Sequence, residues 1–206
     1  MERVTGGNSQ DRLWDLIDQR TRPGADRARI DDQIWEMFGE DWAILITDLS
    51  GFSRSTQRFG IIHFLQIIHQ HHLLLLPVIK EHLGLVLKTE ADNFMILFRQ
   101  PTSAMKCALA MQRACLEFNQ GRPDEDQILL CAGMGYGRML RIGDHDVWGA
   151  EVNAASKLGE DTADAYEILL TAGARNALGD FPGVAFRDLD TPVPGSDENY
   201  RAVYEL

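Results

Sequence analysis

The sequence predicts an α+β domain with a β-α-β-β-α-β order, the ferredoxin-like core, followed by a C-terminal extension. Three observations carry this. Short apolar runs bounded by turn residues recur at 43–46, 85–87, 94–98 and 127–136. Two longer stretches with apolar residues at helical spacing, 52–82 and 101–118, separate the first run from the second and the third from the fourth. At 206 residues and 45% hydrophobic content, the chain can bury one sizeable core.

Residues 1–8 read as a disordered tail. Asp11–Gln19 has helical spacing in Leu13, Leu16 and Ile17, and Arg22-Pro23-Gly24 breaks it. A second amphipathic run puts Ile30, Ile34, Trp35 and Phe38 on one stripe, with Gly39 as a stop. Residues 1–40 are therefore expected to be a helical extension, packed on the body or on a partner chain, and residues 41–206 the main body. The body opens with Ala43-Ile44-Leu45-Ile46, a continuous apolar run ending in Thr47-Asp48, as in a buried strand. Phe52–His82 is a long helix stopped by Gly84. Strands at Leu85–Leu87 and Phe94–Phe98 are joined by the tight-turn sequence Glu90-Ala91-Asp92-Asn93. Pro101–Phe118 is a helix with proline in its first turn, and Gln127–Tyr136 is a strand. Beyond the core come a glycine-punctuated segment, a helix from about Ala150 to Ala163, a strand at Glu167–Leu170 and a short helix. Strands at Val184–Leu189 and Tyr200–Glu205 close the chain.

Charge narrows the function. Twenty basic against 31 acidic residues give a formal net charge of -11, which repels nucleic-acid backbones. A nucleotide is still possible, because a divalent cation screens its phosphates locally. Residues 1–20 lack an apolar signal region, and the run Leu73–Ile79 is too short to span a bilayer. A soluble cytoplasmic protein without a membrane partner is expected. Cys107, Cys115 and Cys131 form no C-x-x-C pair and read as reduced core thiols.

The predicted strand order has a chemical consequence. Strand one ends, at Asp48, on the edge where strands two and three turn, at Asp92. Either aspartate alone is equally well a turn residue. Together they offer the hard oxygens that Mg²⁺ or Mn²⁺ takes, with waters and phosphate oxygens completing the octahedron.

Four segments carry a resemblance. They are Asp48-Leu49-Ser50-Gly51-Phe52-Ser53; Lys88-Thr89-Glu90-Ala91-Asp92; the glycine-rich run Ala132–Gly137; and Asp146-Val147-Trp148-Gly149-Ala150-Glu151-Val152-Asn153-Ala154-Ala155-Ser156-Lys157. In this order and spacing the chain resembles the catalytic domain of the class III adenylyl/guanylyl cyclases from about Trp42 onward. The resemblance implies a homodimer that converts a nucleoside triphosphate to a 3′,5′-cyclic nucleotide and pyrophosphate. It implies that Asp48 and Asp92, helped by the Leu49 carbonyl, hold two Mg²⁺ or Mn²⁺ ions per site, and that Gly51 and Phe52 line the substrate. Lys88 and Asp146 match the base-selecting pair in its adenine form: lysine donates to N1 and aspartate accepts from the exocyclic amine, so ATP is favoured. Asn153 would orient the ribose, and Lys157 would stand on the reacting phosphate; the two are four apart on one helix face.

Three positions depart from the family pattern. Lys157 replaces an arginine and keeps the charge without the fork, which predicts chemistry slower by about 10-fold or more. Pro192–Asn199 lacks the phosphate-binding lysine of that loop, and Arg201 is offset. Ala91 replaces a glycine beside Asp92. These leave open a catalytically weak or inactive nucleotide-binding dimerisation module, or a cyclase for GTP or a pyrimidine triphosphate. Two other features read as structural. His63, His69, His71, His72 and His82 crowd one helix without a carboxylate or cysteine to complete a ligand set. Gly133, Gly135 and Gly137 alternate along a strand and permit close backbone approach, of a ligand or a partner.

Overall fold

The computed structural model describes residues 9–51 and 58–206. The expected tail 1–8 and the start of the expected Phe52–His82 helix, including Phe52, lie outside them. Two helices come first, α1 (Ser9–Thr21) and α2 (Arg27–Phe38). The core follows as β1 (Gly39–Leu49), α3 (Ile61–Glu81), β2 (Leu85–Glu90), β3 (Asn93–Phe98), α4 (Pro101–Asn119) and β4 (Leu130–Ile142). Then come β5 (Asp146–Trp148), α5 (Ala150–Ser156), β6 (Ile168–Thr171), α6 (Ala172–Leu178), β7 (Val184–Leu189) and β8 (Asn199–Tyr204).

One sheet runs β2-β3-β1-β4-β6-β8-β7, with β5 attached to β4. Its first four strands have the ferredoxin-like order, so the expected fold class is the one observed. The apolar run of β1 is continuous because both faces of the strand are covered. Ala43 and Leu45 face α3 and α4 in the main core, while Trp42, Ile44 and Ile46 pack with Val152 and Ala155 of α5. Each such fully buried aliphatic side chain contributes about 2 kcal/mol. Helix α3 buries the stripe Phe64, Ile67, His71, Leu75 and Ile79 and leaves Ile62 and Leu73 exposed. At 21 residues it is the one helix, among the described residues, long and apolar enough to cross a bilayer, although the run Leu73–Ile79 alone is too short.

Several boundaries differ from the sequence reading, each for a packing reason. β1 begins three residues before Trp42, because its pairing with β4 extends to Gly39 opposite Leu140. β4 runs on to Ile142, where it receives β5, a three-residue strand the pattern did not announce. The helix expected from Ala150 to Ala163 is α-helical only to Ser156 and continues as a π-turn over Lys157–Thr162. At that point Gly159 crosses Gly133. A Cβ on Gly133 would lie 2.0 Å from the Ala155 carbonyl oxygen, and one on Gly159 would lie 2.7 Å from the Ile46 carbonyl oxygen. The close approach at Gly133 and Gly135 is therefore made by α5 and its continuation, from the same chain.

Candidate active site

Asp48 is the penultimate residue of β1, and Asp92 sits in the turn between β2 and β3. Thr47 pairs with Phe94 across β1 and β3, so the turn overhangs the end of β1 and brings the two carboxyl groups within reach of each other. Burial, then the Asp92 charge, push the Asp48 carboxyl up to about 7. Burial raises Asp92 as well. Asp92 is 7% exposed, and its Oδ2 has no hydrogen-bond partner. The Leu49 N–H reaches both carboxyl groups, so Leu49 contributes an amide here in addition to any use of its carbonyl. Gly51, at φ 84°, turns the chain out of β1. Two desolvated carboxyl groups with one orphaned oxygen lack a positive charge, and hard oxygens fit Mg²⁺ or Mn²⁺. No group of three or more metal-ligating side chains exists among the described residues, so water and phosphate oxygens would complete the shell. The histidines go elsewhere. His72 Nε2 lies 3.2 Å from the Ala91 carbonyl oxygen, and buried His71 stacks on Phe94.

The second pair is complete in itself. Lys88 Nζ lies 3.0 Å from Asp146 Oδ1, joining β2 to β5. The Val147 N–H donates to the same Oδ1 at 2.9 Å. Asp146 Oδ2 and the remaining ammonium protons stay available to a planar ligand edge.

Asn153 and Lys157 lie exposed on α5 and its continuation. Lys157 Nζ is held by Asp161 at 2.6 Å, which raises its pKa, first through that hydrogen bond. Among the described residues, no hydrogen bond or ion pair links Asn153 or Lys157 to Asp48, Asp92, Lys88 or Asp146. Arg201 is engaged by Glu167 at 2.9 Å.

Residues 38–199 match the family described as the adenylate and guanylate cyclase catalytic domain. The chain belongs to this family. Two curated relatives align over 64% of this chain. One is the serine/threonine-protein kinase pkn2 of Myxococcus xanthus, 28% identical over 132 residues. The other is a protein of Rhizobium meliloti (strain 1021) whose name assigns it to the adenylate cyclases, 29% identical over 131 residues. The chain spans only 16% and 22% of their lengths. Among solved structures, the adenylate/guanylate cyclase/hydrolase from Silicibacter pomeroyi superposes with a TM-score of 0.71 at 22% identity, covering 81% of this chain and 98% of that one. The fold is shared by guanylyl and adenylyl cyclases alike. The match begins at residue 38, so α1 and nearly all of α2 precede the matched region.

Two carboxylates of the cyclase domain escaped the sequence reading. Glu160 accepts from Asn93 Nδ2 at 2.7 Å and from the Ser156 hydroxyl, and its charge adds to the field on Asp48. It lines a cleft of about 260 Å³ with Ile46, Lys88, Phe94, Met95 and Ser156. Glu151 accepts from the Tyr136 N–H at 3.1 Å and the Thr171 hydroxyl at 2.6 Å, pinning α5 to β4 and β6. Its position inside the fourth motif was a signal; the four-residue step from Ser156 to Glu160 was another.

Proposed function

We propose that this domain converts ATP to 3′,5′-cyclic AMP and pyrophosphate with two Mg²⁺ or Mn²⁺ ions at a homodimer interface. The carrying observation is the Asp48–Asp92 pair, two like-charged carboxyl groups, one buried and one half-buried, with an unbonded oxygen that a divalent cation would complete. When bound, the cations would acidify the ribose 3′-hydroxyl and offset charge on the phosphates. Asp48 and Asp92 hold them. Lys88 donates to adenine N1, and Asp146 accepts from the exocyclic amine through the oxygen that Lys88 and Val147 leave free. Guanine presents the opposite pattern at that edge. Asn153 orients the ribose, and the Lys157 ammonium faces the α-phosphate as the 3′-oxygen attacks in line. One subunit supplies Asp48 and Asp92, and a second copy supplies Lys88, Asp146, Asn153 and Lys157. The net charge of -11 argues against nucleic acid as a partner, and the same reading puts the reaction in the cytoplasm, off the membrane.

The test is turnover of ATP, GTP, CTP and UTP, each with Mn²⁺ or Mg²⁺, with products identified by mass spectrometry. Cyclic AMP that disappears in D48N and D92N supports the reading. A different cyclic nucleotide keeps the metal site and removes the adenine assignment. Mixing D48N with N153A chains tests the shared site, and no recovery of activity counts against it. One observation favours a second reading, a nucleotide-binding dimerisation module: Lys157 is already neutralised by Asp161. Metal-dependent nucleotide binding without any cyclic product from the folded dimer would select it.

A further inference from the structure

β5 carries Asp146 yet has only three residues, too short to hold its position by its own pairing with β4. Val147 anchors its centre in the core with Ile44, Met139 and Val152, and its two flanks lie beside the N-terminal hairpin of α1 and α2, nearly all of which precedes the family match. Asp146 is in register with Ile142, and Trp148 with Leu140. Ile142 is buried in the core of the hairpin with Leu13, Leu16 and Ile34, and Leu140 packs against that core. At the other end of β5, the Trp148 ring meets the Trp14 ring edge to face, with centroids 5.9 Å apart and planes at 63°. A cleft of about 300 Å³ separates the start of α1 from the β4–β5 turn, and Asp146 forms part of its wall. Both ends of β5 therefore border the hairpin, Trp148 by ring contact and Asp146 through its β4 partner Ile142.

We propose that the hairpin sets base recognition: Trp14, acting through Trp148, is a positioning residue that holds Asp146 against Lys88. This rests on the reading of Asp146 as a base-selecting residue. An edge-to-face aromatic pair is worth a factor of about 3 to 10, and that is the loss of adenine preference expected when Trp14 is removed.

The experiment compares full-length wild type, W14A, W14F and D146N. Two quantities are measured in Mn²⁺: the ratio of dissociation constants for α,β-methylene ATP and GTP, and amide exchange across 146–148. The proposal expects W14A to speed exchange in β5 and to lower the adenine preference about 3- to 10-fold, with W14F restoring much of both. Unchanged exchange in W14A overturns the brace. Faster exchange with an unchanged ratio, while D146N does change it, overturns the link to base recognition and leaves the role of Asp146 standing. A ratio that D146N also leaves unchanged removes the base reading, and the proposal with it. Because the analogues cannot cyclise, none of these outcomes depends on turnover.

Discussion

Two carboxylate-bearing pairs are built on the same β2–β3 hairpin, and they are electrostatic opposites. Lys88 on β2 meets Asp146 at 3.0 Å, half in solvent, with opposite charges satisfied inside one chain. Asp92, in the turn of that hairpin, meets Asp48 with like charges, buried, and with one oxygen unbonded. The first pair is stable as it stands and only has to exchange water for a base edge. The second is stable only when protonated or metallated. The difference locates the ligand dependence of the protein at one end of the hairpin.

The sharpest break of that comparison is D92N. Removing one of two cation-holding carboxylates should lower cyclase turnover by about 10³-fold or more. The same change removes like-charge repulsion, so the metal-free protein should melt at a higher temperature than wild type while losing its Mn²⁺-induced rise. Turnover assays and thermal melts with and without Mn²⁺ check this. A D92N protein that melts lower without metal would show that the pair is not frustrated.

At the other pair the effect should be smaller and of a different kind. D146N turns an acceptor into a mixed amide and should cost about 10- to 100-fold in kcat/KM for ATP, with GTP affected less. Its thermal stability should hardly move, because a half-exposed ion pair contributes little. A large drop in melting temperature would mean that Asp146 is structural, serving the β5 turn more than a ligand.

How far these pairs could be seen in advance follows from their physics. Asp48 and Asp92 were legible, since strand order alone puts them at one edge. Lys88 and Asp146 were legible only through the family motifs, because their meeting depends on β5, and Asp146-Val147-Trp148 is too short to show a strand period. Glu160 falls in the stretch expected to be plain helix, where nothing in the sequence sets it apart from its charged neighbours. Only the π-turn carries it over to Asn93, and that turn arises from backbone contact between Gly133 and Gly159, which no periodicity encodes. The two N-terminal helices were readable from their stripes. Trp14, 47% exposed, gave no hint that it leans on Trp148.

The pairs should also part company in their pH response. Asp48 titrates near 7 in the fold, above its unfolded value of 3.8. The folded state then holds the Asp48 proton that the unfolded one has lost between these values, so the Asp48 contribution to metal-free stability falls as pH rises from about 4 to 7. Mn²⁺ binds the ionised pair, so its stabilising effect should be larger at pH 7.5 than at pH 5.5. In D48N the metal-free decline should flatten. Buried His71, held down to about 3 by burial, works the other way: its contribution is present above pH 6.5 and is lost as pH falls towards 3. An H71L background, which removes that opposing slope, should steepen the net decline between pH 5 and 7. Melting temperatures across pH in the four combinations separate the two groups.

The smallest effect sharpens the comparison within the hairpin itself. Ala91, next to Asp92, sits at φ 52°, in the left-handed region that favours glycine, whereas no such residue flanks Lys88. An alanine there costs on the order of 1 kcal/mol in the fold, partly offset because glycine is more disordered when unfolded. A91G should therefore stabilise the protein by about 0.5–1 kcal/mol, a rise of ~1–4 °C in melting temperature for a domain of this size. The gain should appear equally in wild type and D92N, since it comes from backbone strain and not from charge. If A91G helps only where both aspartates are present, the strain and the repulsion are coupled, and the turn is held in its left-handed shape by the carboxylates it brings together.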